Sequence, residues 1–300
     1  MRVQQEIKTK KYTNKDHTII HSDVLISLKK IGDSTVDLIF ADPPYNIGKD
    51  FDGLKENWKE KDFLEWTYTW IKECHRVLKP HGTFYIMNST ENMPYIDIWS
   101  RKYFTVKSRI IWSYDSSGVQ AKKYYGSLYE PILMLTKHSK HYTFNYEDIL
   151  VEAKTGAKRK LIDYRKNPPR PYNTTKVPGN VWKFPRVRFK MGEYENHPTQ
   201  KPEVLLERII KASSNIGDTI LDPFSGSFTT SSVAQRLNRK SIGIEINEVY
   251  IKIGIRRLNI PSEFSEIDLL KKKKRKTKNL SKKDRGNSAY KGNPIQRPLI

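Results

Sequence analysis

An α/β fold with a parallel, doubly wound sheet is predicted by two features of the 300-residue chain. Short runs too apolar to face water on either side recur along it, with amphipathic helices between them. Two motif-like segments also stand directly after such runs, where open parallel sheets bind ligands.

The strands are expected at residues 18–21 (Thr-Ile-Ile-His), 36–41, 82–88 (Gly-Thr-Phe-Tyr-Ile-Met-Asn), 107–113, 128–136, 219–221 and 241–244. Between the second and third, Phe63, Trp66, Trp70, Ile71, Cys74, Val77 and Leu78 recur at helical spacing, and Pro80 with Gly82 ends the run. Pro202 opens another helix, with Val204, Leu205, Ile209 and Ile210 on its apolar face and Gly217 beyond its end.

Residues 138–200 break the rhythm. Asn167-Pro168-Pro169-Arg170-Pro171, Val177-Pro178-Gly179-Asn180 and the aromatics Tyr164, Tyr172, Trp182 and Phe184 predict an irregular insertion. After about Glu266 the apolar pattern fails again, and 271–300 reads as a polar, basic tail, disordered in isolation. The expected organisation is an N-terminal extension (1–17), two halves of one domain (18–137 and 197–266), an insertion between them (138–196) and a tail (267–300).

Charge and cysteine content narrow the function. Of the net +22, residues 151–201 carry +9 and residues 271–300 carry +11, so the rest is nearly neutral. Two basic segments on a neutral body predict a polyanionic partner, with nucleic acid foremost. No charged-then-apolar leader or long apolar span is seen, which predicts a cytoplasmic protein, nucleoid-associated through DNA, with no membrane contact. The single cysteine, Cys74, excludes an internal disulfide and a cysteine-based zinc site, and no metal is expected.

The first segment, Asp42-Pro43-Pro44-Tyr45, suits an exocyclic aromatic amine. The lone pair of such a nitrogen is delocalised into its ring. A carboxylate (Asp42) and a backbone carbonyl (Pro43) that each accept an N–H draw it toward tetrahedral geometry. The prolines hold the turn rigid, and Tyr45 supplies a face for a base extruded from a duplex. The second segment, Asp222-Pro223-Phe224-Ser225-Gly226-Ser227, has the small residues of a loop that wraps a ligand. Its single glycine disfavours a dinucleotide fingerprint. Glu245, ending the next strand, is placed to accept from ribose hydroxyls. His197-Pro198-Thr199-Gln200-Lys201-Pro202 precedes a helix whose free N–H groups favour a carboxylate.

With DPPYNIGKDFDG (42–53), YIMNSTENMP (85–94), WSYDSSGVQAKKYYGS (112–127), DYRKNPPRPYN (163–173), HPTQKP (197–202) and DPFSGSFTT (222–230), the chain resembles the β-class DNA amino-methyltransferases from about Thr18 to Glu266. The resemblance implies a circularly permuted, Rossmann-like methyltransferase fold that uses S-adenosylmethionine to methylate adenine N6 in double-stranded DNA. It implies catalysis by Asp42, Pro43, Pro44 and Tyr45. Cofactor binding would fall to Asp23, Thr199, Gln200, Lys201, Asp222, Phe224, Ser225, Gly226, Ser227 and Glu245. The 138–196 insertion would read the target. Where the family's cofactor loop has a third glycine, this chain has Phe228.

For contacts to DNA, the basic residues expected are Lys122, Lys123, Arg165, Lys166, Arg170, Lys176, Arg186 and Arg188. A homodimer is compatible with the sequence, and no restriction endonuclease partner is specified by it. N4-cytosine methylation is the nearest alternative, because the same pocket chemistry serves either amine. A non-catalytic DNA-binding regulator on the same fold is another.

Overall fold

The computed structural model describes residues 9–51, 53–115, 122–154, 160–265 and 268–269; the basic tail over 271–300 lies outside the described residues. Nine strands form one sheet: β1 (Lys10–Thr13), β2 (His17–His21), β3 (Val36–Ala41), β4 (Leu78–Met87), β5 (Thr105–Ser113), β6 (Tyr129–Thr136), β7 (Val181–Lys183), β8 (Thr219–Asp222) and β9 (Lys240–Glu245). The helices are α1 (Val24–Leu28), α2 (Glu60–Val77), α3 (Met93–Ser100), α4 (Glu203–Ser213), α5 (Thr229–Arg236) and α6 (Glu248–Leu258).

The spatial order is β1-β2-β9-β8-β3-β4-β6-β5-β7. The five strands from β2 to β4 pair in parallel. The sheet as a whole is mixed, which corrects the wholly parallel expectation: β1 is antiparallel to β2, and β6 is antiparallel to both β4 and β5. An antiparallel neighbour needs no helical crossover from the strand before it. Strand β1 gave no apolar run because Tyr12 alone among its four residues is buried. The insertion is also tied to the sheet: β7 lies parallel to β5, with Trp182 opposite Trp112.

Alternation along the central strands fills two core layers. Ile39, Ala41, Phe84, Ile86, Leu133 and Leu221 face one side, with Val24 and Leu28 of α1, Trp70, Ile71, Cys74 and Val77 of α2, and Met93 and Ile96 of α3. Leu38, Phe40, Tyr85, Met87, Ile132 and Ile220 face the other, with Leu205, Leu206, Ile209 and Ile210 of α4 and Val233 and Ala234 of α5. Each fully buried large apolar side chain contributes ~1.5–3 kcal/mol of transfer free energy. The buried Asp37 in β3 is paired with Lys79 Nζ (2.8 Å) and accepts from the Thr219 amide (3.0 Å), so its charge is compensated. Cys74 is fully buried, and burial pushes its thiol well above the ordinary range. Helix α2 ends at Val77, because Pro80 disfavours a helical residue before it and Leu78 is already extended.

The winding sets the position of the site. From β3 the chain passes through α2 to β4 on one side, and from β8 through α5 to β9 on the other. Strands β3 and β8 are neighbours, so the sheet has its switch point between them, and a crevice opens outside their carboxyl ends. Asp42 directly follows β3 and Asp222 closes β8. Among the described residues no helix is long and apolar enough to cross a membrane, and no cluster of His, Cys, Asp or Glu could hold a metal ion.

Candidate active site

The turn after β3 is held from outside itself. Glu56, buried, accepts from the amides of Tyr45 (3.0 Å) and Ile47 (2.9 Å). Asn46, at φ 56°, exchanges two 2.9 Å hydrogen bonds with the backbone of Trp58, and Asn92 donates to the Tyr45 carbonyl at 2.8 Å. These contacts add to the rigidity of Pro43 and Pro44. Among the described residues none donates to the Pro43 carbonyl, which remains an open acceptor beside Asp42.

Asp42 sits at the centre of a buried charge cluster. Its Oδ1 accepts from the Tyr45 hydroxyl at 2.7 Å, and its Oδ2 pairs with Lys201 Nζ at 2.7 Å. Glu130, in the second position of β6, accepts from the same Tyr45 hydroxyl at 2.9 Å and lies 3.3 Å from the same ammonium. Tyr114 donates to its other oxygen at 3.4 Å. Burial raises the Asp42 pKa and the Glu130 charge adds to this, while Lys201 opposes both. Burial acts on Glu130 in the same sense, but Lys201 and the Tyr45 hydroxyl outweigh it and hold that carboxyl below its usual range. Burial alone lowers the Lys201 pKa; the two carboxylates reverse this and keep it charged. Burial and both carboxylates push the Tyr45 phenol well up.

The loop after β8 is built by its own hydrogen bonds. Asp222 accepts from the Phe224 amide (3.0 Å) and the Thr230 hydroxyl (2.5 Å), and Ser225 donates to the Asp222 carbonyl (3.0 Å). Burial pushes the Asp222 carboxyl up to about 7. Gly226, at φ 48°, lies against His197, whose Nε2 would be 2.8 Å from a Cβ, so a side chain there has neither the conformation nor the room. Its amide donates to Glu245 Oε2 at 2.8 Å, while Glu245 Oε1 accepts from the amides of Ile246 and Asn247. Ser227 shares a 3.0 Å hydroxyl contact with Thr229. The half-buried Phe224 ring rests on Trp66 and Trp70 at 5.6 and 5.0 Å.

Neighbouring strands bring Asp23, Asp222, Phe224, Ser225, Gly226, Ser227 and Glu245 to one end of the sheet, beside Asp42. Asp23 caps α1, accepting from the amides of Leu25 and Ile26, one residue beyond a backbone hydrogen bond from Ser22 to Glu245. The His197–Pro202 segment divides. His197 packs under the loop, and the Thr199 amide donates to its Nδ1 (3.3 Å). Gln200 braces the chain at Glu193 and Glu195. Lys201, expected among the cofactor residues, points to the turn after β3, where its ammonium pairs with Asp42.

Glu130 was missed altogether. Its signal was a lone acid in the otherwise apolar run Pro131-Ile132-Leu133-Met134-Leu135.

The expected DNA-contacting residues fall in three places. Arg186, over the Tyr114 ring at 4.9 Å, lines the same pocket as Tyr45, Glu130 and Lys201, and Arg188 lies nearby with its guanidinium 3.5 Å from the Asp115 carbonyl. Lys122 and Lys123 are exposed ahead of β6. Arg170 and Lys176 belong to the small two-stranded pairs of the insertion, and Arg165 and Lys166 lie in the turn between the strands of the first pair. There Arg165 pairs with Asp163 at 2.8 Å yet stays exposed, and Lys166 donates to Asn173 at 3.3 Å.

The chain matches the DNA methylase family of N6 and N4 enzymes over residues 36–256. It is 68% identical over 275 residues to the DNA adenine methyltransferase YhdJ of Escherichia coli (strain K12), covering 92% of this chain and 94% of that one. It is 40% identical over 271 residues to the type II methyltransferase M.HpaI of Haemophilus parainfluenzae, covering 88% and 80%. Among solved structures it resembles the M1.HpyAVI–SAM complex, with a TM-score of 0.57, 26% identity, and 81% of this chain and 99% of that one covered. PvuII DNA methyltransferase, cytosine-N4-specific, shares the fold at a TM-score of 0.65 and 17% identity, covering 87% and 93%. With a proline-stiffened acid and a glycine-cradled loop meeting at the switch point, and with relatives of this kind along nearly its whole length, the chain belongs to the N6/N4 DNA methylase family.

Proposed function

We propose that this protein transfers a methyl group from S-adenosylmethionine to the N6 amine of adenine in double-stranded DNA. The observation that carries this reading is the juxtaposition of Asp42 and the open Pro43 carbonyl with the Gly226–Glu245 loop on adjacent strands. The adenine specificity named for a 68% identical relative supports the choice of base.

The residues present fit the cofactor. The cradle at Gly226 tolerates no Cβ, and Glu245 Oε2, with one backbone partner, keeps a lone pair suited to a ribose hydroxyl, while Oε1 is filled by the amides of Ile246 and Asn247. Phe224 offers an apolar edge for the purine. Bound there, S-adenosylmethionine supplies an electrophilic methyl on a sulfonium. The chain's own work is on the nucleophile. Asp42 and the Pro43 carbonyl each accept one N–H of the amine, concentrating its lone pair toward the methyl, and this interaction strengthens as positive charge builds on nitrogen. Tyr45 packs on the base, whose extrusion from the duplex costs a few kcal/mol. The 138–196 insertion reads the target sequence, and Arg186 and Arg188 hold phosphates at the mouth of the pocket.

Incubation with labelled S-adenosylmethionine and duplex DNA, followed by digestion to nucleosides, tests the reading. N6-methyladenine is the expected product. N4-methylcytosine alone moves the reaction to the other amine, and DNA binding with no methylated base makes the protein a regulator.

A further inference from the structure

We propose that Glu130 is a positioning residue that frees Asp42 for the target amine by taking over the two donors that otherwise occupy it. The inference rests on the assignment of Asp42 as the amine's acceptor.

Both Asp42 oxygens are engaged, one by the Tyr45 hydroxyl and one by Lys201 Nζ, each at 2.7 Å. Lys201 is buried, and its three N–H groups are directed at Asp42, Glu130 and the Thr199 carbonyl. An ammonium in that position competes directly with the amine, and a buried ammonium that loses its only carboxylate is strongly disfavoured. Glu130 removes that obstacle. It is 3.3 Å from Lys201 Nζ and 2.9 Å from the Tyr45 hydroxyl, so each donor on Asp42 already has a second acceptor in reach. The Tyr45 hydroxyl has a single proton and serves one carboxylate at a time. A short shift of both donors onto Glu130 leaves Lys201 paired, keeps the pocket's total charge unchanged and exposes an ionised Asp42.

Glu130→Gln keeps the shape and removes the charge, so Lys201 stays on Asp42. The decisive comparison is the single-turnover methylation rate of Glu130→Gln, Lys201→Met and the charge-balanced double variant, at mildly alkaline pH with saturating S-adenosylmethionine and duplex. Cofactor affinity and melting temperature serve as controls.

Glu130→Gln is expected to slow methylation ~10-fold or more while cofactor affinity changes less than ~3-fold. Glu130→Asp, which keeps the charge, should recover part of the rate. Adding Lys201→Met to Glu130→Gln should raise the rate ~3-fold or more, because the competitor is gone. A double variant as slow as Glu130→Gln, or slower, overturns the inference, as does a Glu130→Gln enzyme with wild-type rate. Asp42→Asn measured in parallel separates the two claims. If it keeps the wild-type rate, the Asp42 assignment fails; if it is inactive while Glu130→Gln is unimpaired, only the role of Glu130 fails.

Discussion

The Phe228 ring lies so close over Gly254 that a Cβ on that glycine would stand 2.6 Å from Phe228 Cδ2. Gly243 is as close on another side, at 2.7 Å from Phe228 Cε1. Phe228 stands where the sequence resemblance leads one to expect a glycine, and its backbone keeps the left-handed conformation a glycine favours, at φ 58° and ψ 32°. That geometry costs ~1–2 kcal/mol for a residue with a side chain. Burial of the whole ring among Ile19, Ile251, Ile255 and Leu258 offsets it.

Gly254→Ala is therefore expected to destabilise the protein by ~1–3 kcal/mol through overpacking. Phe228→Ala should cost ~3–5 kcal/mol through the cavity it leaves. Denaturant melts of the double variant should show a loss smaller than the sum, since the added methyl enters the vacated space. Strictly additive losses contradict the contact.

Asp42→Ala should lose ~10²-fold or more in kcat while retaining cofactor binding, because the lost acceptor acts chiefly on the transition state. Tyr45→Trp should keep partial activity through its remaining aromatic face, and Tyr45→Ala should not. Steady-state kinetics on a target duplex decide this, and equal loss from the two tyrosine changes would remove the stacking role.

The raised Asp222 pKa fixes a pH dependence of stability. Its carboxyl titrates at about 7 in the folded protein, against ~3.9 when unfolded. The folded state thus binds the proton more tightly, and the stabilisation is fully present below the unfolded value and lost as pH rises through 7. Relative to Asp222→Asn, which does not titrate, the wild type should lose ~2–4 kcal/mol between about pH 4 and 8. Parallel melting curves across that range, without cofactor, measure the difference; a constant gap refutes it.

Charge placement predicts a division of labour on DNA. Deleting residues 271–300, with their +11 charge, should weaken binding to all sequences and flatten the salt dependence, by about 0.9 in log–log slope per lost phosphate contact. Neutralising Arg165, Lys166 and Arg170 should instead reduce discrimination between target and scrambled duplexes. Titrations of both variants over a salt series check this. An unchanged slope on truncation makes the tail a solvated run, and altered site choice on truncation misplaces the recognition element.

The strands of the sheet's centre were legible because burial on both faces leaves a nearly continuous apolar run, broken in Val36 to Ala41 only by the paired Asp37. Edge strands leave no such run. Lys10–Thr13 buries one side chain, and Val181–Lys183 buries only Trp182 within a segment that reads as loop. The motif residues were legible for a related reason, since they immediately follow those runs and the strand ends converge. Lys201 and Glu130 were not, because their roles depend on a meeting across 71 residues of chain that includes the irregular insertion. Spacing within either segment says nothing of that encounter. Phe228 looked like a departure in one motif until two distant glycines were found to accommodate it.

The most direct test is modified-base sequencing of plasmid DNA from cells expressing either the wild-type protein or Asp42→Ala. N6-methyladenine is expected at a single sequence motif with the wild type, and none with the variant at equal protein level. N4-methylcytosine in place of N6-methyladenine, or undiminished adenine methylation by the variant, would contradict the proposed reaction.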